Sequence, residues 1–190
     1  MRILFLAGAL LCLGAVPAAA QERPDPAALQ SAQRQAMDKI KRLDGAWRGT
    51  AWTLLPTGRH QVTHTERVGP FLGGTIKLIE GRAYNPDGSV GFNAFAVVSY
   101  NPATKGYSLQ SYAQGYAGTF PLQVTDDGYV WQVPAGPGAL IRYTATIKDG
   151  SWREVGDRIV GEAPPVRIFE MNLKRVGETS WPEAGAIPGK

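Results

Sequence analysis

Residues 45–69 read GAWRGTAWTLLPTGRHQVTHTERVG, and this stretch decides the fold. The period of the apolar residues changes from helical to strand-like after Gly45. Beyond the turn residues Pro56, Thr57 and Gly58, apolar and polar residues alternate as they do along a half-buried strand. The stretch therefore predicts two antiparallel strands joined by a hairpin.

The same pattern continues to the end of the last predicted strand. Turn signals recur about every 10–15 residues, and the segments between them are rich in Val, Ile, Thr, Tyr, Phe and Trp. The expected strands lie at about 46–55, 59–69, 74–84, 89–100, 106–113, 116–124, 128–133, 139–148, 151–160 and 166–176. We expect an all-β fold, an antiparallel up-and-down barrel of eight to ten strands, because closure removes exposed edges. A flat sheet or a sandwich is the alternative.

One amphipathic helix is predicted before the strands, from about Pro26 to Leu43. Asp25 can cap its first N–H groups, and proline is tolerated at the first helical position. The predicted apolar stripe consists of Leu29, Ala32, Ala36, Ile40 and Leu43, with Met37 beside it. We expect Gly45 to end the helix.

The first twenty residues are typical of a secretory signal peptide. Arg2 precedes an apolar run that extends to Val16, and Ala18-Ala19-Ala20 offers a cleavage site of small residues. The single cysteine, Cys12, lies in this run, so the mature protein is expected to have no disulfide. We expect a periplasmic or extracellular protein with four segments: signal peptide 1–20, helical segment 21–44, barrel 45–176 and irregular tail 177–190.

Charge and hydropathy argue against a nucleic-acid-binding protein and against a transmembrane segment. The net charge is +4, but the basic residues are scattered and interleaved with acidic ones, which argues against a nucleic-acid-binding surface. No apolar stretch after the leader is long enough to predict a transmembrane segment.

Two motifs resemble those of lipocalin-type barrels. Gly45-x-Trp47 follows the helix, and Arg175 ends the last strand on the same face as its apolar residues. In lipocalins this tryptophan closes one end of the barrel and packs under a basic residue, which implies a structural role for Gly45, Trp47 and Arg175. We therefore expect the Arg175 guanidinium to stack on the Trp47 ring.

The wider pattern resembles an exported bacterial family of the calycin superfamily, domain-of-unknown-function family 1579. The resemblance covers about residues 43–176. It depends on Gly45-x-Trp47-x-Gly49, Glu66, Phe71-Leu72-Gly73-Gly74, Tyr100, Trp152-Arg153-Glu154-Val155-Gly156 and Phe169-Glu170-Met171-x-Leu173-x-Arg175. It implies a lipocalin-like fold and no particular reaction.

The second strand provides the first candidate site residues. The face that carries Val62 and Val68 also carries His64 and Glu66, and we expect this face to point into the barrel. A His–Glu pair at this spacing could bind a ligand or a proton, or it could be a buried structural pair.

Other charged residues recur on segments that otherwise have the composition of core strands. Buried charges are costly unless they are paired, so a polar ligand-binding interior is one interpretation and an outward orientation is the other. The cavity candidates are His64, Glu66, Glu80, Arg142, Glu154 and Glu170. The many aromatic residues suit either core packing or the wall of a pocket.

No cofactor, metal site or catalytic residue is predicted. Two histidines, His60 and His64, cannot form a multi-histidine metal site, and no histidine follows His64, whereas haem-binding barrels of this kind take their ligand from late in the chain. No serine lies in a nucleophile motif.

Three functions are compatible with these residues. The leading hypothesis is a barrel that binds a small, amphipathic or partly apolar ligand in its cavity. The second is an enzyme with Glu66 or Glu154 as general base and His64 or a tyrosine as acid. The third is an envelope interaction protein with a solidly packed barrel.

Overall fold

Ten antiparallel strands form a closed barrel in which each strand pairs with its sequence neighbours and β1 pairs with β10. This structure, a computed structural model, describes residues 24–183. The strands are β1 Gly45–Leu55, β2 Gly58–Phe71, β3 Ile76–Tyr84, β4 Val90–Asn101, β5 Gly106–Ala113, β6 Tyr116–Val124, β7 Gly128–Pro134, β8 Ala139–Lys148, β9 Ser151–Val160 and β10 Val166–Gly177. The predicted up-and-down barrel is confirmed, and the sandwich alternative is wrong.

The barrel has two different ends. We call one end the mouth; it is formed by the five hairpin turns 55–58, 84–90, 113–116, 134–139 and 160–166. The opposite end, which we call the closed end, carries the remaining turns and the start of β1. Because side chains alternate along a strand, every second residue points into the barrel.

The helix α1 covers Pro26–Asp38 and is shorter than predicted. Its start is as expected, since the Asp25 carboxylate accepts a hydrogen bond of 3.0 Å from the Ala27 N–H. The helix ends early because the next turn tightens: the N–H of Ile40 bonds the carbonyl of Met37 at 3.1 Å. A short 3₁₀ turn, Lys41–Leu43, then leads into β1, so Gly45 begins a strand and does not end the helix.

The helix and the 3₁₀ turn cover the closed end. Met37, Ile40 and Leu43 are buried there as part of the main core, as the predicted apolar stripe requires. The Tyr107 hydroxyl on β5 donates a hydrogen bond of 2.9 Å to the carbonyl of Ala36. These contacts attach the helical segment to the barrel.

A buried ion pair holds the junction between the 3₁₀ turn and β1. The Lys77 ammonium, on β3, donates to the Asp44 carboxylate, and the Lys77 side chain is only 2% exposed. Burial lowers the pKa of Lys77, while Asp44 partly opposes this effect. Removing either partner would leave a poorly solvated charge.

Trp47 lies beneath the helical cap at the closed end. It is 2% exposed, its indole N–H donates a 2.8 Å hydrogen bond to the carbonyl of Leu43, and its ring meets Trp152 edge-on at 5.7 Å. Trp47 therefore occupies the end-closing position expected from the sequence.

The expected stacking of Arg175 on Trp47 is wrong, although the two residues are register partners. The Arg175 guanidinium donates to the Asp44 carbonyl at 2.7 Å and pairs with Glu178 at 2.7 Å. Charge-assisted hydrogen bonds to oxygen are stronger than a contact with a ring face. Gly45 makes room for this arm: it has a φ of +123°, and a Cβ there would lie 2.8 Å from the Arg175 Nε.

Some sequence predictions fall wholly or partly outside the described residues. The signal peptide 1–20 and Cys12 precede residue 24, and the tail is described only up to residue 183. Within the described part of the tail, β10 ends at Gly177 and Trp181 packs below the guanidinium of Arg67 at 4.7 Å.

Replacing Trp47 tests the role of the closed end. We expect Trp47→Ala to lower the free energy of unfolding by about 3–5 kcal/mol, because it opens a cavity and removes a buried hydrogen bond. Trp52→Ala is the matched control, since Trp52 lies on the outer face of β1 below Arg59, and should cost about 1 kcal/mol. Chemical denaturation measures both, and equal losses would contradict this role.

Candidate functional site: the barrel cavity

The barrel encloses a cavity of about 540 Å³ between the closed end and the mouth. Leu43 and Trp152 bound it at the closed end, which we call the floor, while Leu55, His60 and Gly91 line it at the mouth. These last three residues are exposed, so the cavity opens there. Its volume lies in the range of small-molecule sites.

Aromatic rings form one wall of the cavity. Trp131 on β7 stacks on Tyr143 on β8 with ring centroids 4.5 Å apart, and Tyr143 meets the edge of Phe169 on β10 at 5.9 Å. The sequence left open whether the aromatic residues are core or pocket, and the structure contains both kinds. Tyr100 and Tyr107, for example, pack together near the helix and do not line the cavity.

His64 and Glu66 lie inside the barrel, on the face of β2 that the sequence predicted. The His64 Nε2 is 2.8 Å from the Glu66 Oε1, and the two side chains are 5% and 11% exposed. The other carboxylate oxygen, Oε2, is buried without a hydrogen-bond partner. Glu66 therefore has an unused acceptor within the cavity wall.

Gly81 makes this position of Glu66 possible. It is the register partner of Glu66 on β3, and a Cβ at Gly81 would lie 2.6 Å from the Glu66 Oε1. Any other residue at this position would displace the carboxylate or be displaced by it.

Glu154 on β9 is the second carboxyl group in the cavity wall. It accepts a 2.6 Å hydrogen bond from the Tyr129 hydroxyl and a 3.1 Å bond from the Trp131 indole N–H. Burial raises the pKa of Glu154; the two hydrogen bonds oppose this rise, and the charge of Glu66 adds to it.

The same buried environment raises the pKa values of the neighbouring Tyr129 and Tyr143. Burial and the nearby Glu154 carboxylate raise the pKa of Tyr129 well above its ordinary value and that of Tyr143 to about 12. Both phenols stay protonated at neutral pH, and the Tyr129 hydroxyl is a hydrogen-bond donor to Glu154. The Trp152 indole N–H, on the strand that carries Glu154, is buried without an acceptor.

Three of the six cavity candidates do not line the cavity. Glu80 lies on the outer face of β3 between Arg67 and Arg82, at 2.5 and 2.6 Å, and Glu170 bonds Arg153 at 3.0 Å on the outer face of β10. Arg142 is exposed on the outer face of β8. The reason is strand alternation, since each of these residues is adjacent in sequence to one that lines the cavity.

The grouping of Tyr129 and Trp131 around Glu154 was not predicted from the sequence. Tyr129 and Glu154 lie on opposite sides of Ala145 in the register, and the small alanine side chain lets the phenol reach the carboxylate. A small residue opposite an inward-facing carboxylate, as with Gly81 and Glu66, is the signal that could have found both pairs.

The part of the chain that the structure describes has neither a metal cluster nor a membrane-spanning helix. Within residues 24–183, no three His, Cys, Asp or Glu side chains group in a way that could hold a metal ion. No helix in the same range has the length and apolar character needed to cross a membrane.

Comparisons with known proteins establish the fold alone. No protein-family model matches the chain, and no curated protein matches it. Among solved structures, the chain is similar to Rv2717c from M. tuberculosis, with 13% identity and a TM-score of 0.55. The alignment covers 74% of this chain and 96% of that chain.

The raised pKa of Glu154 predicts a distinctive pH dependence. A carboxyl group whose pKa rises on folding contributes stability below its ordinary value of 4.5, and this contribution is lost as the pH rises through the higher folded pKa. Relative to Glu154→Gln, the wild-type protein should therefore lose melting temperature as the pH rises above 4.5.

Glu80→Gln is the control with the opposite sign. Although burial opposes the effect, hydrogen bonds from Arg67 and Arg82 lower the pKa of Glu80, so its contribution should be lost as the pH falls below 4.5. Thermal denaturation of the three proteins from acidic to neutral pH measures both slopes. The same slope for both variants would contradict the assignment of Glu154 as a buried carboxyl group.

Proposed function

We propose that this barrel binds and sequesters one small, partly apolar molecule in its cavity. The observation that carries the proposal is the 540 Å³ space, which Trp47 and the helical cap close at one end and which opens at the mouth. A solidly packed barrel would leave no such space. We therefore do not retain the hypothesis of an envelope interaction protein with a solidly packed barrel.

The chemistry of the wall supports an amphipathic ligand. Most of the lining is apolar or aromatic, so burial of an apolar ligand body would supply most of the affinity. The polar groups are few, and Glu66 and Glu154 lie among the aromatic side chains of the wall. They would orient the ligand by binding its polar end.

The paired strands favour binding without large rearrangement. Every strand of the barrel is hydrogen-bonded on both sides, so the cavity is formed before a ligand enters. Preorganisation of this kind lowers the entropy cost of binding.

Acid–base catalysis is the second candidate, and the 2.8 Å His64–Glu66 pair together with the raised pKa of Glu154 favours it. Both oxygens of Glu154 already accept bonds from Tyr129 and Trp131, so Glu66, whose Oε2 has no partner, is the better candidate for a general base. Binding remains the better proposal because it needs only the cavity and its polar groups, whereas catalysis also needs a substrate proton placed against Glu66.

A cavity-filling substitution tests ligand binding. We expect the wild-type protein to enhance the fluorescence of N-phenyl-1-naphthylamine, an uncharged apolar probe, and Ala96→Trp to abolish most of this enhancement, because Ala96 lines the cavity. Val97→Trp is the control, since Val97 follows Ala96 on β4, points to the outer face and does not line the cavity. Equal enhancement by all three proteins would place the probe elsewhere and refute the proposal.

We further propose that the chain is exported and belongs to the lipocalin-like family that its motifs resemble. The charged start, apolar run and small-residue site support export, and Gly45-x-Trp47 at the start of β1 supports the family. N-terminal sequencing of the protein recovered from the envelope or medium should begin at Gln21. Mature protein that retains Cys12 would contradict the cleavage site.

A further inference from the structure

Apart from the histidines His60 and His64, the formally charged side chains of the cavity wall are carboxylates. The ionisable acidic side chains that line the cavity are Glu66 and Glu154, and among the described lining residues there is no arginine or lysine. The arginines of the same strands, such as Arg67, Arg82 and Arg153, form ion pairs on the outer face. The barrel thus separates its charges, with carboxyl groups inside and guanidinium groups outside.

Glu66 and Glu154 are close enough to affect each other. The negative charge of Glu66 makes ionisation of Glu154 less favourable, whereas His64 has the opposite effect. Two carboxyl groups in a poorly solvated wall are stabilised most by a cation placed near both. His64 already bonds one oxygen of Glu66, which leaves Oε2 as the free acceptor.

Aromatic rings surround Glu154. Trp131 bonds Glu154 through its indole N–H and stacks on Tyr143, so the edge of the indole meets the carboxyl group. These rings supply apolar surface next to the carboxyl group, which suits a ligand that joins a charged end to an apolar body.

We infer that the ligand is an amphipathic amine whose protonated nitrogen donates to Glu66 Oε2 and lies near Glu154, with its apolar body directed toward the mouth. This inference rests on the proposed ligand-binding function and specifies the chemical class of the ligand. An ammonium group supplies both the donor that Glu66 lacks and the positive charge that the two carboxyl groups need.

The same wall discriminates against anionic amphiphiles. A fatty-acid carboxylate placed at the floor would meet Glu66 and Glu154 with no arginine or lysine among the described lining residues to neutralise it. Juxtaposition of like charges in a desolvated site is strongly unfavourable. An alcohol would satisfy the free oxygen but would not supply a charge.

Three ligands with the same alkyl chain separate these cases. Calorimetric titration of the full chain with decylamine, decanol and decanoate, each below its micelle concentration or solubility limit, should give the tightest binding for the amine. We expect decylamine to bind roughly tenfold to a hundredfold more tightly than decanol, as a charge-assisted hydrogen bond predicts. Decanoate should bind most weakly.

Two cavity variants and one control identify the responsible charge. Glu66→Gln and Glu154→Gln should each weaken decylamine binding by about tenfold or more and leave decanol binding within about twofold. Glu80→Gln removes the same charge from the outer face of β3 and should leave the order of the three ligands unchanged. The comparison of ligands on the wild-type protein does not depend on how well any variant folds.

Each result has one meaning. Equal or tighter binding of decanol or decanoate relative to decylamine overturns the amine inference and leaves the proposed binding function intact. No binding of any of the three ligands, together with no enhancement of the uncharged probe, overturns the proposed function as well.

Discussion

The hydrogen bond from the Trp47 indole to the Leu43 carbonyl, together with the packing of Trp47 on Trp152, fixes how the barrel is closed. A barrel of ten strands is wide enough to leave interior space, and the interior is defined only when one end is sealed. Trp47 joins the helical cap to the strands, and Trp152 is at once a packing partner of Trp47 and part of the cavity floor. The shape of the cavity therefore depends on the same contacts that stabilise the closed end.

The two interior carboxyl groups are stabilised to different degrees. Glu154 has a donor on each oxygen, whereas Glu66 has a donor on one oxygen only. A buried acceptor without a partner destabilises the folded chain by about 1–3 kcal/mol. A ligand that provides a donor to Glu66 Oε2 would recover this free energy on binding, which links the incomplete hydrogen bonding of Glu66 to the proposed function.

The sequence predicts the path of the chain better than it predicts the site. Alternation and turn residues placed the strands within a few residues of their observed bounds, because both signals are local. The face of β2 that carries His64 and Glu66 was also predicted correctly, since Val62 and Val68 mark the same face. Glu80, Arg142 and Glu170 were predicted as cavity residues from their charge alone. Each follows or precedes a residue that points inward, so strand alternation places all three on the outer face.

The remaining features depend on register between strands that are distant in sequence. Tyr129 meets Glu154 across Ala145, and Glu66 occupies the space above Gly81, and neither relation follows from one strand alone. Arg175 was placed on the correct strand face, but its guanidinium bonds Asp44 and Glu178 because the chain before β1 and after β10 brings oxygen acceptors to that end. Local periodicity does not contain this information.

Amine binding inside the barrel is tested most directly by a crystal structure of the full chain with a decylamine that carries bromine on its terminal carbon. Anomalous scattering locates the bromine without reference to the fitted ligand, and the nitrogen is located by its density. We expect the nitrogen within hydrogen-bond distance of Glu66 Oε2 and the bromine among the mouth residues near Leu55 and Gly91. A bromine at the floor, or ligand bound only on the outside of the barrel, would rule out an amine site at Glu66.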